Sequence, residues 1–211
     1  MDMDRPPARP RLRARSVWLM ALGLLATSCA AMAPPVTGYL VSRGGSRPER
    51  LDQAVVYVES EGLVLDRRFP ARADRTSLTF VGGALEPAVL VAKAGTWLEI
   101  WNSDSVFHQP FSRSRAAPFP GRSVGPRAAA AVQLRSKGVA QIYCQLHEGE
   151  SAEVLVLPNG AWTRPDSSGA FTLPPLPPGH YVLHAWHPRL GERTLPVELD
   201  RSGSKSLKLR F

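Results

Sequence analysis

The chain has 211 residues, enough for one or two domains, and its content of 44% hydrophobic and 21% charged residues excludes wholesale disorder. Its 17 Gly and 20 Pro favour turns and short strands over long helices. Of the net charge of +8, the first fifteen residues contribute five Arg and two Asp, so +5 remains beyond them. That remainder contains no contiguous block of Lys or Arg, which argues against a nucleic-acid-binding protein.

The N-terminal leader has the order of a secretory signal. Residues 5–15 are basic, Val17–Ala26 is a ten-residue apolar run too short to span a bilayer, and small residues follow. We therefore predict that residues 1–33 are a signal peptide and that the mature chain is extracytoplasmic. Ala26-Thr-Ser-Cys29 resembles a bacterial lipoprotein box, which would place a lipid anchor on Cys29. Cleavage after Ala30 or Ala33 would instead give a soluble periplasmic protein.

Beyond the leader, short β-rich runs separated by Gly, Pro and Asn turns predict an all-β protein. No stretch has a convincing helical stripe, and the longest candidate, Ala128–Leu134, covers about two turns. The predicted strands are Thr37–Val41, Ala54–Glu59, Leu78–Val81, Ala88–Ala92, Thr96–Trp101, Val139–Cys144, Ala152–Leu157, Ala170–Leu173, Tyr181–Trp186, Thr194–Leu199 and Ser206–Phe211.

The C-terminal part carries a second pattern, a tight turn at Asp166, a strand, a Pro-Gly turn and another strand. It resembles the closing half of a carboxypeptidase-regulatory or transthyretin-like sandwich. Far upstream, Gly38–Val41 and Ala54–Val58 resemble the opening half of such a sandwich. We therefore predict that residues 36–58 and 158–211 form one discontinuous sandwich, with residues 60–157 inserted as a separate domain. The alternative is that residues 36–58 belong to the sheet of the middle segment.

The middle segment holds a metal-ligand pattern. His108 follows one predicted strand, and Cys144 and His147 follow another in the spacing Cys-x-x-His. Two imidazoles and a thiolate at strand ends form the in-plane ligand set of a type 1 copper site. Such a donor set suits both Cu(I) and Cu(II). The other reading is a vestigial site in which Cys144 is a small buried hydrophobe.

Residues 78–157 resemble the cupredoxin domain of plastocyanin and amicyanin type. The mature chain also resembles exported bacterial proteins of the "methylamine utilization protein" type. This resemblance implies a cupredoxin-like Greek-key β-sandwich plus a smaller transthyretin-like or immunoglobulin-like β-sandwich. It also implies a periplasmic copper protein. The matching residues are Asn102, Ser103, Asp104, His108, Phe111, Ser112, Tyr143, Cys144, His147, Trp186, His187 and Pro188.

Glu150 stands where these families have the axial methionine, and the only methionines, residues 1, 3, 20 and 32, lie in the leader region. A carboxylate is a hard anionic donor that favours Cu(II) and lets zinc compete. A backbone carbonyl is the alternative axial ligand, with Glu150 then a solvated loop residue. Asn102 is predicted to hold the cysteine loop by side-chain to backbone hydrogen bonds, and Asp104 either does likewise or caps the turn.

These residues favour a non-enzymatic protein that carries electrons or copper and exchanges them with a periplasmic redox partner or a copper donor or acceptor. The alternative is a docking lipoprotein whose site is vestigial or holds zinc. The five His are too few for a multicopper oxidase, and no Gly-x-Ser-x-Gly element is present. His180, His184 and His187 are interpreted as polar positions of a sandwich strand rather than a second metal site.

We predict cleavage between Ser28 and Pro34 on export, because a charged, an apolar and a small-residue region follow one another in that order. Intact-mass analysis of protein from its native host measures the mature N-terminus. A diacylglyceryl mass on Cys29 identifies the lipoprotein form, and retention of residues 1–26 would contradict export with cleavage.

Overall fold

The structure is a computed structural model that describes residues 35–42, 50–200 and 206–211, and it confirms the all-β prediction. The predicted leader lies outside these residues. Within these described residues, regular helix is confined to a single turn, α1 (Leu65–Arg68), and a 3₁₀ turn at Leu51–Gln53. The strands are β1 (Val36–Val41), β2 (Val55–Glu59), β3 (Arg75–Val81), β4 (Ala84–Glu86), β5 (Val89–Lys93), β6 (Trp97–Asn102), β7 (Pro110–Phe111), β8 (Ala129–Gln133), β9 (Gly138–Cys144), β10 (Ser151–Leu157), β11 (Trp162–Thr163), β12 (Ala170–Leu173), β13 (Gly179–His187), β14 (Gly191–Leu199) and β15 (Ser206–Arg210).

Two four-stranded sheets form the first sandwich, in the orders β4-β3-β6-β8 and β5-β10-β9-β7. Alternate residues of facing strands point inward, so Leu78 and Phe80 of β3 meet Ile142 of β9 and Val154 of β10 in one core. All four side chains are fully buried. Both ends of the metal-ligand pattern lie in this sandwich, because β6 precedes His108 and β9 ends at Cys144.

The second sandwich is formed by strands that precede the first sandwich in the sequence and by strands that follow it. Its sheets have the orders β12-β1-β15 and β11-β2-β13-β14. β2 pairs antiparallel with β13, with Val58 opposite Leu183, and β1 pairs with both β12 and β15. No pairing joins β2 to the strands of the first sandwich. The domain boundaries at residues 33, 60 and 157 stay a prediction from the sequence.

The two sandwiches pack against each other through their inner sheets. Val55 and Tyr57 of β2 and Trp186 of β13 contact Leu155 and Leu157 of β10 in a separate apolar cluster. β2 and β10 are therefore covered on both faces, which explains why their sequences are continuous apolar runs rather than alternating ones.

Four strands of the structure were not among the predicted ones: β4, β7, β8 and β11. The helical candidate Ala128–Leu134 contains β8 instead, paired with β6 along its whole length. Alanine favours helices intrinsically, but pairing with a buried neighbour outweighs a preference of under about 1 kcal/mol per residue. Within the part of the chain that the structure describes, no helix is long and apolar enough to cross a membrane.

We expect Trp186→Ala to lower the free energy of unfolding by about 3–5 kcal/mol, because it leaves a cavity between the two inner sheets. Chemical denaturation followed by circular dichroism measures the change. Val64→Ala, at a side chain that is 72% exposed, is the control and should stay within about 0.5 kcal/mol of wild type. Equal stability of the two variants would show that the sheet contact contributes little.

Candidate metal centre

His108 lies in the segment between β6 and β7 and is held by main-chain bonds. Its amide donates to the carbonyl of Val124 at 3.1 Å, and the amide of Val124 donates back at 2.7 Å. This two-way bridge fixes the backbone of His108 against the loop that precedes β8. The imidazole is completely buried.

The other three candidates lie on the turn between β9 and β10. Cys144 ends β9, and its amide donates to the carbonyl of Glu150 at 3.0 Å, which closes the turn. Gly149 has a φ of 85°, in the left-handed region that glycine enters without strain, and so lets the chain reverse toward the site. Cys144 and Glu150 are buried, whereas the His147 side chain is 38% exposed.

All four side chains that the sequence singled out come together. Nδ1 of His108 lies 3.8 Å from Sγ of Cys144 and 3.2 Å from Nδ1 of His147, and that nitrogen lies 3.5 Å from the sulfur. Oε2 of Glu150 lies 2.8 Å from Nδ1 of His108 and 3.3 Å from Nδ1 of His147. The four ligand atoms all lie within 4.8 Å of one another.

These distances fit the coordination of one transition-metal ion. Donors bound in a trigonal set at ~2.0–2.3 Å lie about 3.5–4 Å apart, close to the spacing of the two imidazole nitrogens and the sulfur. The carboxylate oxygen adds a fourth donor on the same side as both imidazoles. The donor chemistry, two nitrogens, one sulfur and one oxygen, suits copper and also zinc. The residues present therefore fit a metal.

The outer nitrogen of the His108 ring, Nε2, also has a hydrogen-bond partner. Nε2 lies 3.2 Å from Oδ2 of Asp104, and the ring of Phe80 stacks on the imidazole with centroids 4.1 Å apart. A proton on Nε2, donated to the carboxylate, leaves the lone pair of Nδ1 directed at the other three ligand atoms. Asp104 itself is oriented by the amide of Gly82, which donates to Oδ1 at 2.7 Å. That hydrogen bond is the main cause of a lowered pKa of Asp104, so the carboxylate stays ionised.

Asn102 connects the loops around the site. Its buried side-chain amide donates to the carbonyls of Val106 at 2.7 Å and Val124 at 2.9 Å, while its Oδ1 accepts from the amide of Asp104 at 2.9 Å. The interpretation of Asn102 from the sequence concerned the cysteine loop, but its bonds hold the loops on both sides of His108 instead. The Asp104 carboxylate accepts from the amide of Gly82, in the turn between β3 and β4, and contacts the imidazole, so among the bonds described it does not hold the cysteine loop.

Two contributors were not found from the sequence. Phe80 belongs to a strand whose alternation marks it as buried, but its place above His108 depends on the pairing of β3 with β6. The amide of Gln109 lies 3.5 Å from Sγ of Cys144 and donates toward the sulfur. A backbone donor has no residue-specific signal in a sequence.

The three histidines of the C-terminal sandwich do not converge. His187 is buried, with Nε2 at 3.1 Å from the carbonyl of Arg50 and Nδ1 accepting from the amide of Arg189. His184 stacks on Tyr57 and lies 2.9 Å from Glu192, whose pKa it lowers. Among the residues described, the set around Cys144 is the one group of three or more such side chains placed to hold a metal.

Comparison with solved structures finds copper proteins. A purple cupredoxin from Nitrosopumilus maritimus is 20% identical, with 38% of this chain and 98% of that chain aligned at a TM-score of 0.34. A Cu(I) form of an amicyanin variant is 14% identical, with 48% of this chain and 97% of that chain aligned at a TM-score of 0.37. A copper-containing nitrite reductase from Thermus scotoductus is 19% identical, with 39% of this chain and 22% of that chain aligned at a TM-score of 0.35.

No protein-family model matches the sequence, and no curated protein matches it either.

We expect Asp104→Asn to weaken copper binding about 10–100-fold, because an amide that donates to Nε2 of His108 moves the ring proton to Nδ1. Competition with a chelator measures the affinity. Asp74→Asn, at an exposed carboxyl just before β3, is the control. Wild-type affinity in Asp104→Asn would show that the carboxylate does not set the tautomer.

Proposed function

We propose that this chain is an exported, non-enzymatic, cupredoxin-like copper protein that carries electrons or copper. The observation that carries the proposal is the convergence of His108, Cys144, His147 and Glu150 on one point between the ends of two sheets. Three of the candidates lie on the turn that joins β9 to β10, and His108 lies on the segment between β6 and β7, so the packed sandwich holds their spacing.

The ligand set supports one-electron chemistry. A bound copper ion would supply the Cu(I)/Cu(II) couple, and the residues would keep their positions in both states because three of the four are buried and hydrogen-bonded. Glu150 adds negative charge, which stabilises the higher charge of Cu(II) and lowers the reduction potential. The same hard donor makes zinc a competitor for the site.

Exposure of the ligands supports exchange with a partner rather than conversion of a substrate. Only His147 reaches solvent to a substantial extent, so the other ligands offer no open face to a small molecule. Phe107 is 59% exposed and Leu146 51%, and each adjoins a ligand histidine in the chain. Two exposed apolar side chains next to ligand histidines in the sequence, together with one accessible imidazole, fit a small, transient protein contact. The predicted leader supports an extracytoplasmic location for that contact.

The decisive experiment loads purified protein with Cu(II) and records its optical spectrum. Wild type should show a thiolate-to-copper charge-transfer band, and Cys144→Ala should lose it entirely, because the band requires the sulfur as a ligand. Glu150→Met should raise the reduction potential, measured by spectroelectrochemical titration, since a neutral thioether replaces a carboxylate.

Glu148→Gln is the matched control, because it removes an exposed carboxylate from the same turn and should leave spectrum and potential unchanged. Absence of the band in wild type, together with a freely alkylated Cys144, would support the docking-scaffold function instead. Binding of zinc in preference to copper by metal analysis would assign a zinc site. Transfer of the bound copper to a chelating acceptor faster than electron exchange would select copper carriage over electron carriage.

A further inference from the structure

Strand β8 (Ala129–Gln133) lies at the edge of its sheet. Among the residues that the structure describes it pairs only with β6, and the amide of Leu134 and the carbonyl of Ala128 both bond to residues flanking or ending that strand. In an antiparallel ladder the bonding direction alternates, so the amides and carbonyls of residues 129, 131 and 133 point away from β6. β8 has the sequence Ala-Ala-Ala-Val-Gln and so lacks the Lys or Pro that commonly protects an edge.

A groove of about 570 Å³ runs along this edge. All five consecutive residues of β8 line it, which only the edge of a strand can do, because each face of a strand shows alternate residues. The opposite wall is largely apolar, with Pro118, Phe119 and Val124 among its residues. The volume lies within the ~300–1,000 Å³ typical of ligand-binding clefts.

The charged residues that line the groove are all basic. Residues 105–147 contain six Lys or Arg and no Asp or Glu. Arg122 and Arg135 line the groove, no carboxylate does, and neither guanidinium has an acidic partner among the described residues. A second copy of this chain paired edge to edge would bring arginines against arginines. An acidic occupant would neutralise them.

From these three features, we propose that the edge of β8 binds an extended acidic segment of a partner protein as an added strand. The free amides and carbonyls of residues 129, 131 and 133 supply the main-chain hydrogen bonds. Alternate side chains of the segment then face the apolar wall and the pair Arg122 and Arg135. The proposal concerns the protein surface alone and holds whether or not a metal is bound.

The groove adjoins the segments that hold two of the candidate ligands. Val124, in its wall, forms the two-way bridge with His108, and Pro110, also in its lining, pairs with Cys144. An occupant of the groove is thus one residue pair away from both side chains. A partner bound here would contact the residues that pair with His108 and Cys144.

The test uses the mature chain without added metal and an acetylated heptapeptide that alternates glutamate and valine. We expect the peptide to slow hydrogen exchange at the amides of residues 129, 131 and 133, and we expect salt to weaken its binding. Ala131→Pro removes one outward amide at an edge position that tolerates proline, and it should raise Kd about tenfold or more. Ala131→Val keeps the amide and is its control.

The charge component is tested with Arg122→Glu combined with Arg135→Glu, which should also raise Kd about tenfold or more. The control is Arg67→Glu combined with Arg68→Glu, an equal charge change on α1. Equal binding of a lysine-valine peptide, binding without protection of the three amides, or no binding would each overturn the proposal. Protection that rises with protein concentration alone would identify a second copy as the occupant and overturn it as well.

Discussion

Complete burial of the His108 imidazole constrains the end of the first sandwich that carries the turn between β9 and β10. A buried ring with two polar nitrogens is stable only when both have partners, since an unpaired buried polar group costs several kcal/mol. His108 meets this condition at Nε2 through Asp104, and its Nδ1 faces Glu150 and the other candidate ligands, with the ring of Phe80 stacked on the imidazole. Loops that are far apart in the chain must therefore close on the same ring. A metal ion would replace only the inner of these contacts, so the site can be ordered before binding.

Local patterns carried most of what could be predicted. Short β-rich runs between turn residues located eleven strands, and the Cys144-x-x-His147 spacing with His108 at another strand end indicated the ligand set, because each of these signals lies within a few residues. The strand β8 was not predicted, because its alternation is weak and alanine has no strand preference of its own. Its conformation comes from pairing with β6, which no local pattern records.

Contacts between distant segments explain what the sequence did not show around the site. Phe80 reaches His108 only through the parallel pairing of β3 with β6, and Asp104 contacts the ring because Asn102 holds the intervening turn. Charge behaves similarly. The sequence beyond the leader has no contiguous basic block, but the fold brings Arg122 and Arg135, from a segment without carboxylates, to one strand edge.

The chain leaves the second sandwich and returns to it at nearly the same point. The side chain of Asn159 donates to the carbonyl of Val58 at 2.9 Å across 101 residues, and its own Oδ1 accepts from the amide of Ala161. Bringing together the ends of a flexible loop of that length has an entropic cost. When the inserted segment is itself folded and its two ends are adjacent, closing the second sandwich adds little to that cost. Pairing of β2 with β13 is also far from local, which slows its formation. Once the first sandwich has folded, its adjacent chain ends would therefore leave β2 and β13 close together for pairing.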